Sequence, residues 1–258
     1  MEDLPLLLGA GFLAGSMNAV AGGGSFVAFP ALVLAGVPSV GANASCAVAL
    51  LPGNLASSYV YRDGLSGDGL GGIGGVKLRT MLAVSLAGGL LGAVLLLSTP
   101  QADFDAVIPW LLLLATLAFA LGGQAGAALR RVARIGPAPV VAAQFVLAVY
   151  GGYFGGAVGI MMMAAWSLLG AADLKVPDLK AMAPARTVLV AATNAAAVAC
   201  FVALGAVRWP QTLAVLLAGI AGGYGGARLG RRLDRRAIRA AILVLTTAMT
   251  IFFFRRAP

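Results

Sequence analysis

The hydrophobic pattern of this chain consists of long apolar segments separated by short polar stretches. Ten apolar segments can be drawn, over residues 4–21, 26–35, 41–61, 76–97, 107–129, 139–154, 157–170, 181–204, 211–229 and 237–254. A helix needs about 20 residues to cross the hydrocarbon core of a bilayer, within a range of about 17–25. Segments 26–35 and 157–170 are too short to be ordinary spans. The pattern predicts an all-α polytopic membrane protein with two unusual elements.

Both short segments follow a glycine-rich interruption of an apolar stretch. The first interruption is Gly22-Gly23-Gly24, and the second lies around Gly155, Gly156 and Gly159. Irregular backbone is tolerated at membrane depth only where it is buried in protein or lines a cavity. Interrupted segments at corresponding places in two halves indicate a transporter's substrate site. Each interruption, with the short segment after it, predicts a helical hairpin that returns to the side of the membrane on which it began.

The two halves of the chain repeat one another. The pattern AGGxxGAxL occurs over residues 87–95 and 221–229, and the same offset places Gly22 opposite Gly156. After an insertion in the second half, Asn54 falls roughly opposite Asn194. One hairpin and three crossings per half make an odd number, so the two repeats are predicted to be inverted. We expect a first repeat over 1–129, a basic linker over 130–137 and a second repeat over 138–258, which together form one transport domain.

Glycines spaced four apart follow this pattern in both halves, at Gly88 and Gly92 and at Gly222 and Gly226. Small residues at this spacing let helices approach closely in a membrane. We therefore predict a packing role for these four glycines.

Composition and charge support a membrane protein and exclude nucleic-acid binding. The chain is 60% hydrophobic and 10% charged, against about 25% charged residues in soluble domains. Its net charge of +9 comes from residues that stand in short runs between apolar segments, as orientation signals do. By that rule the linker 130–137 and the run 228–239 are cytoplasmic, and the acidic loop 98–106 is external.

Histidine is absent, and the nine acidic residues all lie at segment ends or in loops. A haem, a histidine–carboxylate metal site and a proton relay within the spans are therefore not expected. Without histidine or a buried acid, no nucleophile–base pair can be assembled for an intramembrane enzyme. We predict no catalytic residue, no metal site and no cofactor.

The glycine interruptions are the first candidates for substrate binding. The N–H groups at the start of the helix after each break form an anion site, with the positive end of the helix dipole. Ser25 stands where an N-cap would and can turn its hydroxyl inward. The alternative interpretation is a tight hairpin whose glycines serve close packing alone.

Amides within the apolar segments are the second candidates. Asn18, Asn54 and Asn194 require partners in lipid, and an amide can coordinate substrate oxygens. They can equally serve as hydrogen-bonding contacts between helices.

Arg186 is the one basic residue inside a predicted span. It lies six residues after Lys180, about 9 Å along a helix. Three interpretations stay open: a side chain that snorkels to the interface, a side chain that attracts the anion, and a member of an internal ion pair.

Three stretches resemble a known family. NAVAGGGSFVAFPALVLAGVP begins at residue 18, YGGYFGGAVGI at residue 150 and AGGYGGARLGRRLDRR at residue 221. Together they resemble the TauE/SafE-type sulfite exporters of the inner membrane, and the resemblance covers essentially the whole chain. It implies transport of sulfite, organosulfonates or related sulfur-containing anions. The family's glycine-rich motif falls on Gly22, Gly23, Gly24 and Ser25 and, in its second copy, on Gly155, Gly156 and Gly159. This second copy contains Ala157-Val158, so the half-sites are not expected to be equivalent.

The sequence therefore predicts a multi-pass inner-membrane exporter of a small sulfur-containing anion. The alternative is an importer of sulfonate, thiosulfate or another small organic anion. A scaffold without transport is a further alternative, which a dry, fully packed centre would favour. The expected partners are the small anionic substrate and the lipid bilayer, with a homodimer left open.

Overall fold

A computed structural model describes residues 3–20, 23–60, 75–128, 137–169, 179–229 and 235–256. Within these ranges the regular elements are ten helices: α1 (Leu4–Val20), α2 (Ser25–Leu34), α3 (Ser39–Val60), α4 (Leu78–Ser98), α5 (Gln101–Ala128), α6 (Pro137–Tyr153), α7 (Val158–Leu169), α8 (Leu179–Ala203), α9 (Trp209–Leu229) and α10 (Arg235–Arg256).

These helices confirm the predicted all-α membrane fold. Each of the ten apolar segments becomes one helix. By length and composition, three stretches of the described helices are long and apolar enough to cross a membrane: Leu78–Ser98, Gln101–Ala118 and Met182–Ala203. Many large apolar side chains on the outer surface are exposed, as at Leu90, Val146 and Leu217, which is expected for a surface that faces lipid.

The prediction of a loop over 98–106 is wrong. Helix α4 ends at Ser98 and α5 begins at Gln101, so the connection is two residues long. The carbonyl of Pro100 accepts a bond from the Phe104 N–H at 3.0 Å, and Asp103 lies in the first helical turn. An acidic residue there is favoured by the helix dipole, which is why the charged stretch continues the helix.

Both glycine interruptions separate a helix from a short one after it. Helix α1 ends at Val20 and the 10-residue α2 begins at Ser25, whereas α6 ends at Tyr153 and the 12-residue α7 begins at Val158. Gly23 and Gly155 adopt φ angles of 95° and 78°, which glycine adopts without steric cost. Ala157 also has a positive φ, 56°. A residue with a Cβ rarely adopts this conformation, so the backbone of the second break is the more strained of the two.

The helices of the two halves pack in matching pairs. The most extensive contact joins α1 to α9, and the next joins α4 to α6. Exchanging the halves converts one pair into the other, because α1 to α5 correspond in order to α6 to α10. This correspondence supports the repeat. The inversion of one half across the membrane and the boundaries 1–129, 130–137 and 138–258 stay predictions.

The helical glycines permit these contacts, as predicted. A Cβ on Gly92 would overlap the backbone of Val149 in α6, and one on Gly222 would overlap the carbonyl of Phe12 in α1. A Cβ on Gly88 would lie 2.6 Å from that of Ala148. The packing role is thus confirmed for Gly88, Gly92 and Gly222, and the surroundings of Gly226 lie outside the described side chains.

Candidate functional site

A cavity of about 300 Å³ lies between the two halves of the molecule. Four parts of the chain enclose it: the break before α2, the break before α7, and one face each of α3 and α8. Its volume is at the lower end of the range typical of small-molecule sites. We call it the central cavity. Its presence argues against the dry, packed centre that a scaffold would have.

The faces of α3 and α8 contribute to the cavity in register. The lining residues of α3 match those of α8 at the offset that relates Asn54 to Asn194. The matched pairs are Cys46 and Arg186, Ala47 and Thr187, Leu50 and Val190, Asn54 and Asn194, and Ser57 and Ala197. The two helices therefore present equivalent faces to one space.

The two breaks also contribute at matching positions. Gly23, Gly24 and Ser25 line the cavity on one side, and Ala157, Val158 and Gly159 line it on the other. The first N–H groups of an α-helix have no partner within the helix and point outward from its start. The starts of α2 and α7 therefore bring two positive dipole ends to the cavity wall.

The structure brings most of the predicted substrate residues to this cavity. Its lining includes nine of them: Asn18, Gly23, Gly24, Ser25, Asn54, Gly155, Gly159, Arg186 and Asn194. Gly156 is not part of the lining, because it is buried against the Phe154 ring, 2.8 Å from where its Cβ would lie. Gly22 lies outside the described residues. Substrate binding by any of them stays a prediction.

Two local details of the breaks differ from the expectation. Gly24, not Ser25, is the N-cap of α2, and Ser25 is the first helical residue. Gly159 lies within the first turn of α7 and not in the unwound stretch. Both follow from a helix start placed one or two residues earlier than the glycine pattern indicated.

Arg186 lines the central cavity from the third turn of α8, which begins at Leu179. Its side chain is half-buried, and Nη1 donates a hydrogen bond to Met163 Sδ at 3.6 Å. This position is one that anion attraction requires, and the choice among the three interpretations stays a prediction. In the first half the matching position is Cys46, a buried free thiol, so among the described lining residues the positive charge belongs to the second half-site.

Amide side chains connect the breaks to α3. Asn18 Nδ2 donates to Asn54 Oδ1 at 3.4 Å, and Asn43 Nδ2 donates to the carbonyl of Tyr153 at 2.8 Å. The second bond satisfies a backbone acceptor at the end of α6, which supports the break there. These amides thus serve as contacts between helices and also border the cavity.

The electrostatic character of the cavity favours an anion. Among the described residues that line it, Arg186 carries the only charge and none is acidic. Within the described ranges, no group of three or more His, Cys, Asp or Glu side chains is placed to hold a metal ion. Oxyanions require hydrogen-bond donors, and this wall offers three kinds of them: the guanidinium of Arg186, the N–H groups at the two helix starts, and the side-chain amides.

Sequence reasoning missed several lining residues, notably Ser57 and Thr187. Ser57 lies three residues after Asn54 on α3, and Thr187 lies seven residues before Asn194 on α8, on the same helical faces. These residues could have been found by listing the positions that share a helical face with Asn54 and with Asn194.

Comparisons with known proteins agree with this description. The model of the sulfite exporter TauE/SafE family matches residues 7–253. A probable membrane transporter protein, ORF9, of a Sinorhizobium species is 29% identical over 226 residues, which cover 85% of this chain and 80% of that protein. A probable membrane transporter protein of Haemophilus influenzae is 27% identical over 226 residues, covering 86% and 83%. No solved structure matches the chain. Since the family model spans nearly all of the chain, this membrane protein belongs to the TauE/SafE sulfite exporter family.

Proposed function

We propose that this protein exports a small sulfur-containing anion, sulfite or an organosulfonate, across the inner membrane. The substrate binds in the central cavity between the starts of α2 and α7. The observation that carries the proposal is the cavity wall itself, where Arg186, two helix starts and several amides meet without an acidic side chain among the described lining residues.

The chemistry of the wall suits a compact oxyanion. Arg186 supplies a guanidinium that can pair with two oxygens at once, and Ser25 adds a hydroxyl donor at the start of α2, whereas the Thr187 hydroxyl donates to the Ala183 carbonyl at 2.8 Å. A tetrahedral or pyramidal sulfur oxyanion presents several acceptor oxygens in different directions. Donors that arrive from both halves of the protein can therefore bind it simultaneously.

The membrane potential supplies a driving force for export. An interior-negative potential drives a monovalent anion outward by about 2.3 kcal/mol per 100 mV. No proton relay is needed for this direction. We place the linker 130–137 and the run 228–239 on the cytoplasmic side, from which the substrate then enters.

A ligand screen tests the substrate class. Purified protein is heated with sulfite, thiosulfate, short alkylsulfonates, sulfate or small carboxylates, and the shift in its melting temperature is recorded. A ligand that binds the folded state alone stabilises it by about 2.7 kcal/mol at 100 times its Kd. We expect stabilisation by sulfur oxyanions and a smaller stabilisation in the R186Q variant. Binding of carboxylates without any sulfur oxyanion would refute the proposed class.

Transport in proteoliposomes tests the direction and the energy source. Vesicles are loaded with labelled sulfite, and a potassium diffusion potential of either sign is imposed. We expect efflux to accelerate when the interior is negative. Efflux that ignores the potential and strictly requires a proton or sodium gradient contradicts the mechanism. Net accumulation against an interior-negative potential identifies the alternative, an importer of sulfonate, thiosulfate or another small organic anion.

A further inference from the structure

A second cavity of about 430 Å³ adjoins the central cavity. It lies between α1, α3 and α9, and Asn18, Leu50 and Ser57 line both cavities. Its rim includes Ile220 and Tyr224, which are 57% and 64% exposed. The second cavity therefore reaches from the molecular surface to the candidate substrate site.

The region that the repeat relates to it, between α4 and α8, is closed. There Gly89 of α4 packs against Thr193 of α8, where its Cβ would overlap the Thr193 carbonyl and lie 3.0 Å from its Cα. Thr193 and its neighbour Leu189 are fully buried. Helices α4 and α8 are thus in backbone contact where α9 and α3 leave a cavity.

The register of the repeat identifies which residues correspond. Gly53 matches Thr193 by the offset that relates Asn54 to Asn194, and Gly223 matches Gly89 by the offset of the glycine pattern. Gly53 and Gly223 both line the second cavity. Gly53 and Gly223 are therefore the counterparts of Thr193 and Gly89, and the second cavity lies between them.

Gly223 is not explained by packing in this structure. The nearest described atom to a Cβ on Gly223 is the Gly15 carbonyl oxygen at 3.8 Å, an ordinary contact, whereas a Cβ on Gly53 would lie only 3.3 Å from Asn18 Nδ2. Glycine inside a helix costs about 0.5–1 kcal/mol relative to alanine. A second arrangement in which the two backbones touch accounts for Gly223. Pro52 lies inside α3 beside Gly53, where the missing N–H permits a bend.

We propose that the second cavity is the substrate's entrance to the central cavity, and that it closes through a Gly53–Gly223 contact as the Gly89–Thr193 contact opens. This inference rests on the proposed transport function. The structure then represents the state open between α3 and α9, and the exchange of one contact for its counterpart opens the crevice between α4 and α8. The substrate in the central cavity is exposed to each crevice in turn.

Two glycine-to-leucine variants are expected to shift the equilibrium between the two proposed states in opposite directions. In G223L the new side chain fills the second cavity and prevents its closure. In G89L it forces α8 away from α4 and favours the other state. The matched control is G9L, because nothing lies within 4 Å of a Cβ at Gly9.

Matched cysteine probes report the two crevices without requiring transport. Ala56 is exposed and lines the second cavity, and its counterpart Ala196 is half-buried on α8. Single A56C and A196C variants are labelled with N-ethylmaleimide in the otherwise unchanged chain and in each leucine variant. The unsubstituted protein is the blank, because Cys46 and Cys200 are buried.

We expect A56C to react at least about tenfold faster than A196C, because a minor state is populated to at most about 10%. G89L should reverse that order, G223L should keep A196C slow and abolish transport, and G9L should behave like the parent. Unchanged labelling in a folded, monodisperse G89L, or full transport by G223L, overturns the proposal. If G89L does not fold, G89A takes its place, since its Cβ alone meets Thr193.

The labelling and transport experiments can refute the two proposals independently of each other. A parent protein that moves none of the tested anions refutes the proposed function, while the exchange of labelling rates can still be observed. Intact transport with labelling rates that neither leucine variant alters refutes the exchanged contact and leaves the function standing.

Discussion

The two broken-helix hairpins share one backbone plan but are held by different side chains. In the second hairpin, Trp166 of α7 donates to Gln144 Oε1 of α6 at 3.0 Å, and Gln144 Nε2 donates to Ser85 of α4 at 2.8 Å. All three side chains are fully buried. A satisfied polar network in a low-dielectric interior holds its members in a single arrangement.

The first hairpin has no polar side chain at the matching positions. Ala10, Leu32 and Gly219 stand there in place of Gln144, Trp166 and Ser85. Helix α2 packs instead through aromatic contacts, in which Phe29 meets Phe154 and Phe253 with ring centroids 5.7 Å apart. Apolar contacts tolerate sliding better than hydrogen bonds do. The hairpin beside the open cavity is thus the less constrained, and the one beside the closed crevice is fixed.

The largest effect is expected for Q144L. This change leaves the buried Trp166 N–H and the Ser85 hydroxyl without their partner, at about 1–3 kcal/mol for each unpaired group. Thermal unfolding of the purified protein should record the loss. The double variant Q144L/W166F should recover part of it, since it removes the orphaned donor. Equal stability of Q144L and the parent would mean that the second hairpin is not held by this network.

The next effect sharpens the difference between the half-sites. R186Q should weaken anion binding by about 10- to 150-fold, because a hydrogen bond to a charged group contributes about 1.5–3 kcal/mol. Isothermal titration with sulfite measures the change. C46A alters the matching position in the first half, and we expect a smaller loss there. An equal loss in both variants would contradict the assignment of the charge-binding role to the second half-site.

Neighbouring glycines of α9 test the packing of α1 against α9. G222A places a Cβ against the Phe12 carbonyl, and such overpacking costs about 1–3 kcal/mol. G223A makes only an ordinary contact, with the Gly15 carbonyl oxygen at 3.8 Å, and should stabilise the folded protein by about 0.5–1 kcal/mol, because alanine is the better helix former. Melting temperatures of the two variants should therefore move in opposite directions. A parallel shift would count against the close contact.

The smallest effects concern the amides at the breaks. The Asn18–Asn54 bond is long, 3.4 Å, and the Asn43–Tyr153 bond is 2.8 Å. A hydrogen bond contributes a net stabilisation of about 0.5–1.5 kcal/mol. The loss of unfolding free energy in N18A should therefore be near the lower limit of this range, and the loss in N43A should be larger. Chemical unfolding of the two variants compares them directly. A greater loss in N18A would reverse our view of which break is the better supported.

Much of the candidate site could be predicted from local patterns. The glycine interruptions identified both breaks, because few other residues are tolerated where the backbone leaves a membrane helix. Asn54 and Asn194 were found as amides in apolar surroundings, and both line the cavity. Gly156 was named from its place in the motif, but the direction in which a residue of a turn faces depends on φ and ψ, which the motif does not specify. Its neighbour Phe154 covers it instead.

Hydropathy along the sequence determined the ten helices. The absence of histidine and of acidic residues within the spans determined that the expected substrate is negatively charged. Both are properties of residues taken singly or in short windows. The tertiary structure alone decided that α3 and α8 face one another in register and that Arg186 borders the cavity. It alone decided, too, that a cavity lies between Gly53 of α3 and Gly223 of α9 while the backbones of α4 and α8 touch at Gly89 and Thr193. The physical reason is that helix packing depends on contacts between residues far apart in sequence, and two repeats with one pattern can adopt different spacings.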